Sequence, residues 1–353
     1  MKLKLVVADH DLEYLEHFTR CIQVNYFDEI ELASFSKQDK LEEYLKQDDC
    51  DVLLYSSEFE TKSCQGLKFL LHAESNEGES DGVPVICKYQ KMEHLYKRIL
   101  GALAETKESY KLSALKEKDG TRVVSFLSAS GGAGKTMSAV TYARLQALQN
   151  KRILYLSSET LSTSGEYFDS YGEVTMSQIF FAIKRSKGNI PLKIESALRV
   201  DDHGIYYFLP GENPLELQEI TGEDWKELVV QLVAMKKFDT IVVDIENSLL
   251  PSMREMLDVS DILLAVTSGQ QEDVKRYQKL FHAMRILEKQ TKERWMEKVF
   301  FLQNKGDAQS QAQQIEGIRI VGRIPEVTDN KHGKDLVDLV VENNLAVGLQ
   351  QLN

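Results

Sequence analysis

Residues 122 to 136 read Arg122-Val123-Val124-Ser125-Phe126-Leu127-Ser128-Ala129-Ser130-Gly131-Gly132-Ala133-Gly134-Lys135-Thr136. A short apolar run, the length of a buried strand, enters three glycines, and a lysine and a threonine follow. The helical pattern starting at Met137 offers Ala139, Val140, Ala143 and Ala147 to a sheet. Glycines permit a backbone path on which successive N–H groups turn inward, and a helix amino terminus adds positive dipole. Strand, loop and helix together therefore predict a cradle for phosphate. The candidate binding residues are Ser130, Gly131, Gly132, Ala133, Gly134, Lys135, Thr136 and Met137. Lys135 would reach the β- and γ-phosphates of ATP, and the Thr136 hydroxyl would ligate Mg²⁺.

Around this loop the chain reads as an ordinary soluble α/β protein of two doubly wound domains. Its 353 residues suffice for two or three cores, with 42% apolar and 28% charged residues. Strand patterns at 122–127, 152–156, 205–209, 240–244, 262–266, 299–303 and 319–321 alternate with helical ones, which predicts a mostly parallel sheet. The first segment alternates likewise: strands at 3–8, 30–34, 52–55 and 83–87, helices at 11–23, 37–46, 66–73 and 92–104. Between them lies a charged stretch closed by Asp119-Gly120. We therefore expect a domain over 1–105, a helical linker over 106–120 and a second domain over 121–353.

The net charge is −12. Residues 1–105 hold 12 Lys and Arg against 21 Asp and Glu, leaving 31 against 34 for the rest, so the acidity sits in the first segment. Such a chain opposes DNA unless a local basic stripe overcomes the repulsion, and Lys184-Arg185-Ser186-Lys187 is too short for one; no nucleic-acid partner is expected. The four cysteines, Cys21, Cys50, Cys64 and Cys87, form no Cys-x-x-Cys pair and read as reduced thiols. No apolar run approaches a membrane span, and the amino terminus reaches Asp9 and Asp11 before any leader-like stretch, so a cytoplasmic location without membrane insertion is expected.

The loop departs from Gly-x-x-x-x-Gly-Lys-Ser/Thr, because Ala129 stands five before Gly134. It resembles instead the deviant Walker A of the MinD/ParA superfamily, Lys-Gly-Gly-x-Gly-Lys-Thr. Three later segments, in order, are similar to that family's. Phe238 to Asp244 looks like its Walker B strand, which implies that Asp244 holds a Mg²⁺-bound water. Val299 to Lys305 looks like the strand ending in Asn-Lys, which implies that Asn304 meets the adenine edge. Gly322-Arg323-Ile324-Pro325 looks like the loop covering the base, with Pro325 against it.

The departures point away from fast hydrolysis. The resemblance implies a lysine just before the glycine pair that reaches a partner subunit's nucleotide, and here that position is Ser130. A short neutral hydroxyl cannot neutralise charge on the transferred phosphoryl group. The family's Asp-x-Asp after the next strand reads Ser157-Ser158-Glu159, so Glu159 is the remaining carboxylate; with Lys135 it is a candidate catalytic residue. The stretch after Asp244 reads Ile245-Glu246-Asn247 in place of small residues or proline.

Residues 1–105 resemble the receiver domain of response regulators, from the corner Ala8-Asp9-His10-Asp11 through Asp51 to Ser56. His10 replaces an acidic metal ligand and Ser56 the phosphoacceptor aspartate, one strand–helix unit is expected to be missing, and the usual Lys-Pro switch is not seen in Val83 to Lys88. Asp9 and Asp11 then read as capping or turn residues. A degenerate receiver joined to a deviant-Walker ATPase without its cross-subunit lysine resembles the TadZ/CpaE-like proteins of the Tad (Flp) pilus machinery. That resemblance implies an ATP-binding homodimer marking where the pilus assembly and secretion apparatus is built, often at a cell pole. The competing reading is a cycling ATPase on membrane or nucleoid. It requires a basic amphipathic carboxyl-terminal helix, whereas residues 335–342 carry only acidic charges.

Overall fold

The computed structural model describes every residue except 1, 28–29, 49, 62–63, 65, 74–78, 81, 107–119, 170–173, 186–188, 212, 247–250, 292, 307–316 and 353. The chain divides into two compact units, one of Met1–Leu115 with Lys187–Ser196, the other of Lys116–Ser186 with Ala197–Asn353. The stretch expected as a helical linker falls almost wholly outside the described residues.

The first unit runs β1 (Leu3–Ala8), α1 (Leu12–Asn25), β2 (Ile30–Phe35), α2 (Gln38–Gln47), β3 (Val52–Ser56), β4 (Leu67–His72), β5 (Glu79–Ser80), β6 (Val83–Cys87) and α3 (Met92–Thr106). The sheet order is β2-β1-β3-β4-β6-β5, parallel except for the β5–β6 pair. Because successive residues of a strand face opposite ways, Leu5 and Val7 join one core with Phe18 and Ile22 of α1 and Ile99 and Leu103 of α3. Val6 and Ala8 join the other with Leu41 of α2 and Leu53. Leu192 completes the first of these cores.

Residues 67–72 form β4 and not the helix expected over 66–73. Phe69 and Leu71 are buried, a period of two, and Gly66 lies so close to the carbonyl of Cys50 that a Cβ would stand 2.3 Å from it. Apolar runs this short carry no clear period, and the parallel pairing with β3 decides the matter. The parallel strands are thus complete. What is lacking, among the described residues, is a helix between β3 and β4 and between β4 and β6.

The second unit is larger. From β7 (Arg122–Leu127) the chain passes through α4 (Lys135–Ala147), β8 (Ile153–Ser157), α5 (Met176–Arg185) and α6 (Ile190–Ala197), most of α6 belonging to the first unit. Then follow β9 (Arg199–Val200), β10 (Ile205–Tyr207), α7 (Pro214–Gln218), α8 (Gly222–Ala234), β11 (Thr240–Asp244), α9 (Pro251–Val259), β12 (Ile262–Thr267), α10 (Gln271–Thr291), β13 (Val299–Gly306), β14 (Ile320–Pro325) and α11 (Gly333–Glu342). The order β14-β13-β12-β7-β11-β8-β10-β9 is parallel except at the β9 edge. The central strands β7, β11 and β12 read as near-continuous apolar runs because helices cover both faces.

Helix α4 is buried almost all round, which is why it carries small residues such as Ser138, Ala139 and Ala143. Helix α11 places Val337 and Val340 fully inside the same core, and Asp338 pairs with Arg144 of α4 at 3.0 Å. The last residues follow α4 as well: the Tyr142 hydroxyl donates to the carbonyl of Leu352 at 3.2 Å, and the Gln149 amide to that of Gln350 at 3.2 Å. Among the described residues, no helix is long and apolar enough to cross a membrane.

Candidate nucleotide-binding site

The expected loop lies at the carboxyl end of β7, the central strand, where open α/β sheets bind their ligands. Gly132 and Gly134 have φ of +74° and +81°, the left-handed region in which a side chain is strained. Gly134 is the N-cap of α4 and Lys135 its first residue, with no acidic side chain in the first turn to neutralise the positive end of the dipole.

Side chains hold three loop carbonyls. The Ser128 hydroxyl donates to the carbonyl of Ser130. At the end of β13, the Asn304 amide donates to the carbonyl of Ala133 at 2.8 Å, and the neighbouring Lys305 ammonium to that of Gly132 at 3.0 Å. Asn304 is fully buried, and its Oδ1 has no partner among the described residues. It lies so close to the loop that a Cβ on Gly134 would stand 2.0 Å from its amide nitrogen.

Lys135 is 5% exposed and its ammonium sits between two carboxylates: Glu159, at 2.7 Å, and Asp244, which is fully buried at the end of β11. Asp244 faces Phe126 and Ser157 across the sheet, which sets the carboxylate beside both the loop and the segment carrying Glu159. Its other oxygen accepts the hydroxyl of Tyr155 at 3.0 Å. Burial, then the nearby charge of Asp244, pushes the Tyr155 phenol well above its ordinary pKa, so it remains a donor. The Glu159 carboxyl is raised by burial and by Asp244, against the pull of Lys135. The segment after β11 is tied to the same region, for the Glu246 amide donates to the Ser158 hydroxyl at 2.9 Å and the Thr160 hydroxyl to Glu246 at 3.2 Å. Asn247 lies outside the described residues.

Ser130 has a role that sequence reading missed. Its hydroxyl lies near the carboxylate of Asp273, in the first turn of α10, which accepts the Ser268 amide at 2.9 Å and the Ser268 hydroxyl. Burial would raise the Asp273 carboxyl, but these hydrogen bonds outweigh it and hold it below the ordinary value. The available signal was an acid in the first turn of a helix, which the dipole favours at many helix starts.

The donor set fits ATP with Mg²⁺. A loop with left-handed glycines, a buried lysine at a helix start, a hydroxyl on Thr136 and a carboxylate on Asp244 supply hard oxygen and N–H partners, and Mg²⁺ needs only one or two protein oxygens. Met137 is buried on α4, and Pro325 ends β14 opposite Gly306 of β13.

In the first unit, Asp11 caps α1 by accepting the Tyr14 amide at 3.0 Å. Lys88, directly after β6, sets its ammonium 2.9 Å from Asp9 and 3.1 Å from Asp11. Lys88 therefore lies against the acidic pair, with its ammonium over the ring of Tyr14, 4.6 Å from the centroid. Ser56 ends β3.

The family model for the TadZ-like receiver domain matches residues 1–104. No curated protein matches the chain. Among solved structures, the chain is similar to a ParA family ATPase from Chlorobium tepidum, at 17% identity over 66% of this chain and 98% of that one, with a TM-score of 0.55. It is also similar to a putative plasmid partition protein from Borrelia burgdorferi bound to AMPPNP, at 16% identity over 64% and 90% with a TM-score of 0.47. The septum site-determining protein MinD of Pyrococcus horikoshii, complexed with Mg-ADP, matches at 14% identity over 64% and 96% with a TM-score of 0.48. At such identities the likeness is one of fold, and the Chlorobium structure carries it. Residues 1–104 match the TadZ-like receiver domain, and the chain continues into an α/β domain with the fold of a ParA family ATPase.

Proposed function

We propose that this chain binds ATP with Mg²⁺ and acts, as a homodimer with slow or no hydrolysis, as a positioning scaffold for Tad (Flp) pilus assembly. One observation carries the reading: the phosphate loop has its lysine at the helix start, while the position before the glycine pair holds the short neutral side chain of Ser130. Bound Mg²⁺ would neutralise phosphate charge from Thr136 and Asp244. Lys135 would hold the β- and γ-phosphates, and the N–H groups of 131–136 the remaining oxygens. Ser130 has no positive charge to offer a second subunit's phosphoryl group, and a missing cation of that kind costs on the order of 10³ in turnover by analogy with arginine fingers. Nucleotide contacting only the dimer would favour the dimer by linkage.

The receiver domain is read as the docking module for other Tad components at the inner face of the membrane, at a cell pole. A cycling ATPase anchored by its carboxyl-terminal helix is disfavoured, because the apolar residues Val337 and Val340 of α11 lie in the core. The test is nucleotide analysis of the purified protein beside Lys135→Ala. ATP recovered from the wild type and absent from the variant is expected, and ADP alone would favour an active hydrolase.

A further inference from the structure

Tyr155 and Asp244 lie on neighbouring strands, and the ladder between them explains how they meet. β8 pairs with β11 so that Ser157 stands opposite Asp244 and Tyr155 opposite Val242. Residues two apart on a strand face the same way, so Tyr155 and Asp244 share one face of the sheet on a diagonal. The short Ser157 is occupied elsewhere, its hydroxyl accepting the Glu159 amide and the Ser162 hydroxyl, each at 3.3 Å. The longer phenol crosses the diagonal and donates to Oδ2 of Asp244 at 3.0 Å. Lys135 bonds the other oxygen, Oδ1.

The two donors differ in what a ligand does to them. Phosphate oxygens would compete for the Lys135 ammonium, so its hold on Asp244 weakens as a nucleotide arrives. The phenol has no such competitor. Tyr155 is 2% exposed, and Phe168 packs on its ring with centroids 5.0 Å apart. Phe168 stacks in turn on Tyr207 at 4.8 Å, and Tyr207 is the ladder partner of Tyr155 on β10. Three rings from separate segments therefore fix the phenol oxygen over the carboxylate. Its neutrality matters as well: an uncharged donor orients a carboxylate and leaves the full negative charge for a cation, which a second ammonium would cancel.

We propose that Tyr155 is a positioning residue for Asp244, holding the carboxylate by Oδ2 while Lys135 engages phosphate, so that Asp244 stays oriented for Mg²⁺ when nucleotide is bound. The proposal rests on the nucleotide-binding reading above and adds to it a residue that acts through Asp244 alone. Tyr155 itself touches neither the phosphate lysine nor the loop in any recorded hydrogen bond, so its effect should appear only where the metal contributes.

The experiment titrates a fluorescent ATP analogue into the full chain, once with excess MgCl₂ and once with EDTA, and reads the ratio of the two affinities. Tyr155→Phe removes one oxygen and keeps the ring in its stack. It is expected to leave the affinity in EDTA as it is and to cut the gain from Mg²⁺ about tenfold, the usual effect of removing one donor from a buried charged group. Asp244→Asn is expected to lose the gain, and adding Tyr155→Phe to it is expected to leave the ratio where it stands. An undiminished gain in Tyr155→Phe overturns the proposal. So does an equal loss of affinity with and without Mg²⁺, which would trace the effect to the loop or to folding, or a further change of the ratio in the double variant. A wild-type protein that binds no analogue removes the nucleotide-binding reading itself, and one that binds equally well in EDTA removes only its Mg²⁺ part; the proposal falls with either.

Discussion

The Lys135 ammonium lies 2.7 Å from the Glu159 carboxylate, and the same nitrogen is bonded to Asp244. One cation is shared by two acids, one of them fully buried, and the phosphate oxygens of a bound nucleotide would compete for the same three N–H groups. Glu159 is the more exposed of the two, so it is the partner that a phosphate would displace.

Neutralising Glu159 therefore favours the ligand. Glu159→Gln is expected to raise affinity for the triphosphate about fivefold, corresponding to ~1 kcal/mol. Titration with a fluorescent ATP analogue in the presence of a chelator, where phosphate and carboxylate compete directly, checks this; equal or weaker binding would contradict it.

Gly134→Ala combines two penalties, a left-handed φ and a collision with the Asn304 amide. The expected outcome is a loss of about 1–3 kcal/mol of stability and at least tenfold of nucleotide affinity. Denaturant unfolding and the same fluorescence titration measure the two effects. Gly131→Ala, where an added Cβ meets nothing within 4 Å, serves as the mild comparison.

In the receiver domain, Lys88→Met would strand the Asp9 carboxylate, which is 4% exposed. Removing one partner of a buried pair costs about 3 kcal/mol, and the double variant Asp9→Asn with Lys88→Met is expected to recover part of it. Urea unfolding of the four proteins closes the cycle. Additive effects of the two substitutions would show that the pair is not coupled.

Acid should loosen the same corner. Asp11 is held below its ordinary value of 3.8, first by the Tyr14 amide and then by Lys88, with the Tyr89 hydroxyl adding a hydrogen bond. A carboxyl with a depressed folded pKa contributes stability that is fully present above the unfolded value and is lost as pH falls through the folded one. Between pH ~5 and ~2, wild-type protein is expected to lose more stability than Asp11→Asn, followed by urea midpoints at each pH. Parallel curves would rule out the contribution of Asp11.

The sequence made some of this legible and hid the rest for identifiable reasons. Residues 122–147 could be read because a buried strand, a glycine loop and a helix are local patterns, and 128–136 fell where they predicted. Residues 66–73 could not, because a six-residue apolar run owes its strand form to pairing with β3. Lys88 on Asp11, 77 positions away, and Tyr155 on Asp244, 89 away, are products of topology, and no spacing rule reaches them. Asn304 is legible as a candidate, while the atom it holds, the Ala133 carbonyl, is not.

The carboxyl-terminal segment bears on how the protein can be handled. Helix α11 and the residues up to Leu352 lie along α4, whose first residue is Lys135. That segment braces the carboxyl-terminal half of the helix that Lys135 begins. Shortening it, or pulling it toward a lipid surface, would strip Tyr142, Arg144 and Gln149 of these partners and loosen that end of α4.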